Sequence, residues 1–166
     1  ISDCLVGSEM CIRDRIMAYS HIAHDCKVGD NCIFSNNSTL AGHVTVGDYV
    51  TLAGMVAVHQ FCNIGRHAFI AGGSLVRKDI PPFVKAAREP LSYVGINSVG
   101  LRRRGFSSEK IREIQNIYRI LYQKKFNNTQ AINIIEAEVE ATSDRDEILV
   151  FIKDSQRGIM KGYIQN

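Results

Sequence analysis

The stretch 16–78 opens Ile16-Met17-Ala18-Tyr19-Ser20-His21-Ile22-Ala23-His24-Asp25-Cys26-Lys27-Val28, and its reading decides the fold. Every sixth residue from Ile16 is apolar: Ile16, Ile22, Val28, Phe34, Leu40, Val46, Leu52, Val58, Ile64, Ile70 and Val76. The next position is mostly small, as at Ala23, Gly29, Ser35, Ala41, Gly47 and Gly65. So is the position two before, as at Cys26, Cys32, Ser38, Ala68 and Ser74, interrupted by Val44, Val50 and Val56. A fixed period of this kind is an internal repeat. It is too short for a helical pair and is not the alternation of a simple strand. It is the period of a parallel β-helix of hexapeptides. Three flat strands of about six residues, each with one aliphatic side chain inward, close a triangular turn, and successive turns stack about 4.8 Å apart. Gly29-Asp30, Asn36-Asn37 and Gly47-Asp48 are the residue types that accept positive φ at corners. Such prisms are usually left-handed, against the ordinary crossover rule.

With one turn per three hexapeptides, Ile22, Leu40 and Val58 share a face. His24, His43 and His59 belong to those three hexapeptides, and His21 lies at the entry to the first. His24, Gly42 and Gln60 then form one column, and Asp25, His43 and Phe61 the next. A glycine above His24 bares a backbone N–H beside an imidazole.

Beyond the prism the pattern changes. Asp79-Ile80-Pro81-Pro82-Phe83 is expected to end it, because two prolines remove two ladder donors and cap the stack against further strands. Asn97 is a plausible N-cap for a short helical turn ending at Arg102-Arg103-Arg104. After Gly105, helical spacing marks three segments: Ile111, Ile114, Tyr118, Leu121 and Tyr122; Ile132, Ile135 and Val139 after Asn128-Thr129; and Ile148, Phe151 and Ile152 after Ser143-Asp144. Ser143 with Asp146 reads as a capping box. The fold class is mainly β: a left-handed parallel β-helix over 16–82, a connector with a basic turn over 83–104, and a small α-helical C-terminal domain over 105–166. Residues 1–15 fit the repeat poorly and read as a foreign appendage, of the kind a translated sequencing adapter produces.

The formal net charge of +3 is mild, with its excess around Arg102-Arg103-Arg104, so nothing points to nucleic acid. No secretory leader pattern, long apolar run or lipidation motif is present, which favours a cytoplasmic protein without stable membrane insertion. Cys26 and Cys62 share a column two turns apart, about 9–10 Å, too far to bridge. With Cys32 they read as small core residues in a reducing compartment.

The runs His21-Ile22-Ala23-His24-Asp25-Cys26, Asn36-Asn37, Leu40-Ala41-Gly42-His43-Val44, Ala57-Val58-His59-Gln60-Phe61-Cys62 and Arg103-Arg104-Gly105-Phe106 together resemble the UDP-N-acetylglucosamine O-acyltransferases that begin lipid A synthesis. The resemblance runs from Ile16 to the C-terminus. It implies transfer of an (R)-3-hydroxyacyl chain from acyl carrier protein to the 3-hydroxyl of UDP-N-acetylglucosamine, in a homotrimer with each site between two prisms. No cofactor is implied beyond the phosphopantetheine that the carrier protein brings, and no metal. Under the resemblance His24 is the general base, the role an imidazole fills near neutral pH, and Asp25 orients it. The Gly42 N–H faces the oxyanion. His21, His43, His59 and Gln60 line the acceptor cleft, Arg103 and Arg104 grip phosphate, Asn97 touches the donor, and Gly73 limits acyl length. Val99 stands where the family often has Glu. The resemblance also implies further coils, with acceptor contacts of their own, before Ile16.

Read without the resemblance, each of these residues has a plainer meaning. His24 is a polar residue on a prism wall, Gly42 and Gly72-Gly73 are corner glycines, and the arginines form a solvated basic turn. Three other readings stand beside the first. One is another hexapeptide acyl- or acetyltransferase on a nucleotide sugar. A second is a trimeric metal-dependent protein like the prism-shaped carbonic anhydrases, to which imidazoles on one ladder could belong. The third is a purely structural prism.

Overall fold

The computed structural model describes residues 9–10, 14–123 and 126–162. Twelve two-residue strands make the prism: β1 (Glu9–Met10), β2 (Arg15–Ile16), β3 (His21–Ile22), β4 (Lys27–Val28), β5 (Ile33–Phe34), β6 (Thr39–Leu40), β7 (Thr45–Val46), β8 (Thr51–Leu52), β9 (Ala57–Val58), β10 (Asn63–Ile64), β11 (Phe69–Ile70) and β12 (Leu75–Val76). They fall in rotation on three parallel sheets, β1-β4-β7-β10, β2-β5-β8-β11 and β3-β6-β9-β12. The register is eighteen residues throughout, as in His21 opposite Thr39 and Thr39 opposite Ala57. Glu9 and Met10 pair with Lys27 and Val28 in that same register. The rest of the stretch read as a foreign appendage lies almost wholly outside the described residues.

Two side chains per hexapeptide fill the interior, not one. The aliphatic position is buried from Ile22 to Val76, and so is the position two before it: Cys26, Cys32, Ser38, Val44, Val50, Val56, Cys62, Ala68 and Ser74. The interior cross-section is narrow, which is why the second position takes residues no larger than valine.

The corners follow a rule that residue type does not reveal. The third residue after each inward aliphatic has positive φ, at Tyr19, Asp25, Asn31, Asn37, His43, Tyr49, Met55, Phe61, His67 and Gly73. Of the pairs expected to supply these positions, only Asn36-Asn37 does so. At the other two the left-handed residues are Asn31 and Tyr49, one step later. A left-handed residue other than glycine costs about 1–2 kcal/mol. From Asn37 onward each corner offsets part of this with a hydrogen bond to the coil before it, such as His43 N–H to the His24 carbonyl at 3.1 Å and His67 N–H to that of Asp48 at 2.8 Å. Gly29, Gly47 and Gly65 serve another purpose, since a Cβ there would stand 2.3, 2.7 and 2.4 Å from the next layer, at Asp48, Arg66 and Pro82 respectively.

The two prolines do not stop strand addition. The sheet containing β11 continues through β13 (Val84–Ala87), which pairs with β11 in parallel, then β14 (Ser92–Ile96) and β15 (Lys161–Gly162). Phe83, with φ +66°, turns the chain back onto that one face after Pro82. The helices are α1 (Ser98–Arg103), α2 (Ser108–Gln123), α3 (Asn128–Glu138) and α4 (Ser143–Asp154). Asn97 caps α1 as expected, but the cap of α3 is Asn127, boxed with Gln130, and that of α4 is Thr142, one residue before Ser143. The helices pack on the prism's end through Ile114, Ile117 and Tyr118, whose hydroxyl donates to the Pro82 carbonyl at 2.6 Å. Among the described residues no helix is long and apolar enough to cross a membrane.

Candidate active site

The left-handed corner residues project outward in register, so each prism edge carries columns of side chains one coil apart. The edge joining the β3-β6-β9 face to the β4-β7-β10 face holds Asp25, His43 and Phe61 in one column and His24, Gly42 and Gln60 in its neighbour. There His24 Nδ1 lies 2.7 Å from Asp25 Oδ2. The His24 hydrogen bond holds the Asp25 carboxyl below its usual range, opposed by desolvation and helped by the His43 charge. A carboxylate only accepts. In the neutral ring His24 Nδ1 therefore carries the proton, and Nε2 the lone pair.

That lone pair has a defined neighbour. A Cβ on residue 42 would stand 2.8 Å from both Cε1 and Nε2 of His24, so the ring lies directly over the Gly42 backbone. The interstrand ladder beside it uses the amides of Ala41 and His43, which donate to Val58 and His24. The Gly42 N–H takes no part in it.

His43 stands edge-on to His24 with ring centroids 5.0 Å apart, stacks on Phe61 at 4.8 Å, and brings Nε2 within 3.8 Å of Asp25 Oδ2. His59 is exposed and donates from Nδ1 to the Gln60 carbonyl at 3.1 Å, while His21 is exposed on the adjoining face. Phe61, half exposed, belongs to this constellation and is not singled out by sequence. Its place in the His43 column is the available signal.

Asn97, Arg103 and Arg104 lie elsewhere. With Val99, Thr51 and Phe69 they line a cleft of about 570 Å³ between α1 and the outer face of β5-β8-β11. Arg103 is exposed, whereas Arg104 is half-buried with its guanidinium 5.2 Å over the Tyr49 ring. Burial pulls the Arg104 pKa down. Asn97 accepts from Gly100 N–H at 3.2 Å and donates Nδ2 to the His67 carbonyl at 2.9 Å, so its amide anchors α1 to the prism. Tyr49, His67 and Phe83 stack along this second edge at 4.9 and 5.7 Å, an aromatic column that supports the arginine cleft. Sequence reading leaves out Tyr49 and His67, although eighteen-residue spacing pairs them.

Gly73 sits on the third edge, at φ +71°, in the column of Tyr19, Asn37 and Met55, and a Cβ added there would meet nothing within 4 Å, so no packing in the chain requires glycine there. One chain thus places the histidine cluster, the arginine cleft and Gly73 on three different parts of the prism.

A hexapeptide prism with an oriented imidazole at a corner and a helical C-terminal domain defines the class of bacterial hexapeptide transferases, and the family model of that name matches residues 15–42. The Udp N-acetylglucosamine O-acyltransferase domain 2 model matches residues 79–160. The chain is 50% identical over 150 residues to the acyl-(acyl-carrier-protein)–UDP-N-acetylglucosamine O-acyltransferase of Herminiimonas arsenicoxydans, covering 88% of this chain and 57% of that one. To the protein of the same name from Stenotrophomonas maltophilia (strain R551-3) it is 45% identical over 147 residues, covering 88% and 56%. The crystal structure of the Bacteroides fragilis UDP-N-acetylglucosamine acyltransferase superposes with a TM-score of 0.88 at 44% identity, covering 89% of this chain and 58% of that one. The chain belongs to the UDP-N-acetylglucosamine O-acyltransferase family, and it spans somewhat over half the length of the curated relatives it matches.

Proposed function

We propose that the protein takes part in transfer of an (R)-3-hydroxyacyl group from acyl carrier protein to the 3-hydroxyl of UDP-N-acetylglucosamine, the opening step of lipid A synthesis, with His24 as general base. The observation that carries this reading is the place of the His24 ring, with Nδ1 against Asp25 and Nε2 over Gly42. Asp25 holds the proton on Nδ1, and the free Nε2 lies over Gly42. In the proposed step Nε2 takes the proton of the sugar hydroxyl as its oxygen attacks the thioester carbonyl. The Gly42 N–H donates to the oxyanion that forms. Collapse expels the phosphopantetheine thiolate, which recovers the proton from the imidazolium. Asp25 stabilises that imidazolium and does not itself need to be protonated.

Arg103, Arg104 and Asn97 fit the phosphate and donor roles only from a neighbouring prism, because on one chain they face away from His24. The reading therefore includes a homotrimer whose sites form between copies. Arg103 is the better phosphate partner, being exposed, and the acidic carrier protein suits the same basic turn. His21, His43, His59 and Gln60 surround the acceptor side. Buried free cysteines agree with a reducing, cytoplasmic setting.

An acyl-transfer assay with mass-spectrometric identification of the product tests the proposal, on this chain and on a form extended to the length of its relatives. His24→Ala should lower kcat by roughly 10²–10⁴-fold, the usual contribution of a general base, with melting behaviour unchanged because the ring is exposed. Retention of more than about a third of kcat would remove His24 from the role.

A further inference from the structure

The corner that holds the base also holds a complete set of metal donors from a single chain. One donor atom each from His24, Asp25 and His43 lies within 4.8 Å of the other two, and all three side chains are open to solvent. Two imidazoles and a carboxylate suit zinc and its first-row neighbours, while magnesium and calcium prefer all-oxygen sets. Zinc–nitrogen and zinc–oxygen bonds of about 2.0–2.2 Å in a tetrahedron put donors roughly 3.3–3.5 Å apart. The Nδ1–Oδ2 separation of 2.7 Å would have to widen and the Nε2–Oδ2 separation of 3.8 Å to close. The first change is about 0.6–0.8 Å and the second about 0.3–0.5 Å, and the two nitrogens, within 4.8 Å of each other, would close by up to about 1.5 Å, movements that rotation of exposed side chains supplies.

We infer that this corner is an inhibitory zinc site. The ion binds His24 Nδ1, Asp25 and His43 Nε2, and leaves its fourth position to water. The consequence follows from proton bookkeeping on one ring. Zinc needs the Nδ1 lone pair, so the proton held there moves through solvent to Nε2, and the neutral imidazole keeps a single N–H. The nitrogen facing Gly42 then has no lone pair to accept a substrate proton. Asp25, which enforces the productive tautomer in the free protein, becomes the ligand that enforces the other. The metal site itself stands on geometry alone, while its inhibitory effect rests on the proposed role of His24.

Zn²⁺ titrated into the chelator-treated chain, with bound metal measured after dialysis and Co²⁺ as a visible-absorption probe, tests the site without any assay of activity. One ion per chain is expected, undisturbed by excess Mg²⁺. Affinity should fall at least about tenfold in each of His24→Ala, Asp25→Asn and His43→Ala, yet stay within about twofold in His21→Ala and His59→Ala. Nitrogen-15 spectra of His24 should show Nδ1 protonated without zinc and Nε2 protonated with it. Zinc binding that survives all three ligand substitutions, or no stoichiometric binding, overturns the site. An ion bound with the tautomer inverted but acyl transfer undiminished overturns the inhibition, and it is the base assignment that then fails.

Discussion

Arg66, on the prism, donates through Nη2 to the buried carboxylate of Asp144, on the first turn of α4, at 2.8 Å. Its Nε reaches both oxygens of Glu147, at 2.8 and 2.6 Å, and its guanidinium lies 4.9 Å from the Phe83 ring centre. One side chain therefore ties the helical domain to the coil beneath it. Removing one partner of a buried pair typically costs about 3–5 kcal/mol. Lys110 Nζ also faces Asp144, at 2.8 Å, and Arg66 is itself a third exposed. Arg66→Ala should thus cost less, roughly 2–3 kcal/mol, read as a lowered urea midpoint. A loss under about half a kcal/mol would mean that apolar packing alone docks the domain.

Gly42→Ala separates fold from chemistry. Residue 42 is outside the left-handed positions, so its backbone accepts alanine. The added methyl must push the His24 ring aside, because it would stand 2.8 Å from two ring atoms. Melting should hardly change, while acyl transfer should fall by roughly 10²-fold, the usual effect of a misplaced catalytic group. Unchanged turnover would show that the ring does not work from this position.

His67 makes folding pH-dependent. Burial, reinforced by Arg104 and Arg66 and opposed by Asp144 and Asp48, pushes its pKa from 6.5 down to about 4. In the unfolded chain it takes a proton near 6.5, so the unfolded state binds more protons between these values. Stability from this group is whole above pH 6.5 and declines as pH falls toward 4, by about 2–3 kcal/mol in total. His67→Asn, which tolerates the left-handed φ of 58°, should flatten urea midpoints across that range. A midpoint profile identical in slope to that of the unsubstituted chain would locate the dependence elsewhere.

Arg103→Ala and Arg104→Ala should part company. Arg103 is exposed, so its loss should raise the donor or acceptor KM and weaken its salt dependence without touching the melting curve. Arg104 covers Tyr49, so its loss should also lower stability, by about 1 kcal/mol for a partly buried cation over a ring. Equal effects of the two on melting would contradict the difference in burial.

Cys26, Cys32 and Cys62 are free and buried, and burial raises all three thiols, Cys32 to about 12 and Cys62 to about 11. Peptide mapping after labelling should find these three unmodified in the folded chain and fully modified in denaturant. Prompt folded-state labelling of any one would open the prism core.

The prism is legible because its period is short and its interior is repetitive. Column arithmetic alone puts His24 beside Gly42, and the structure places that ring on that backbone. The corner conformation is not legible in residue type, since Tyr49, Met55 and Phe61 occupy positions that composition would reserve for glycine or asparagine. Geometry set by the ladder overrides local preference there. The end of the prism misleads for a similar reason, as Pro81 and Pro82 lie just before the strand that extends one face and deprive it of nothing. Helix caps slip by one residue where two capping types are adjacent, at Asn127-Asn128 and Thr142-Ser143. The ion pair of Arg66 with Asp144 spans 78 residues and has no sequence signature at all.

The eighteen-residue register also limits how such a chain can change in length. Losing eighteen residues between two coils removes one storey and leaves every edge above and below in phase. Losing six keeps each aliphatic side chain inward, so the core is spared, yet it rotates everything beyond the deletion by one face. A cut of six between Asp25 and Gly42 would therefore carry Gly42 to a different edge from His24 while the prism remained whole. Folding tolerates indels in sixes; the contact of His24 with Gly42 tolerates none between the two, because only a separation of eighteen sets one a single storey above the other on the same edge.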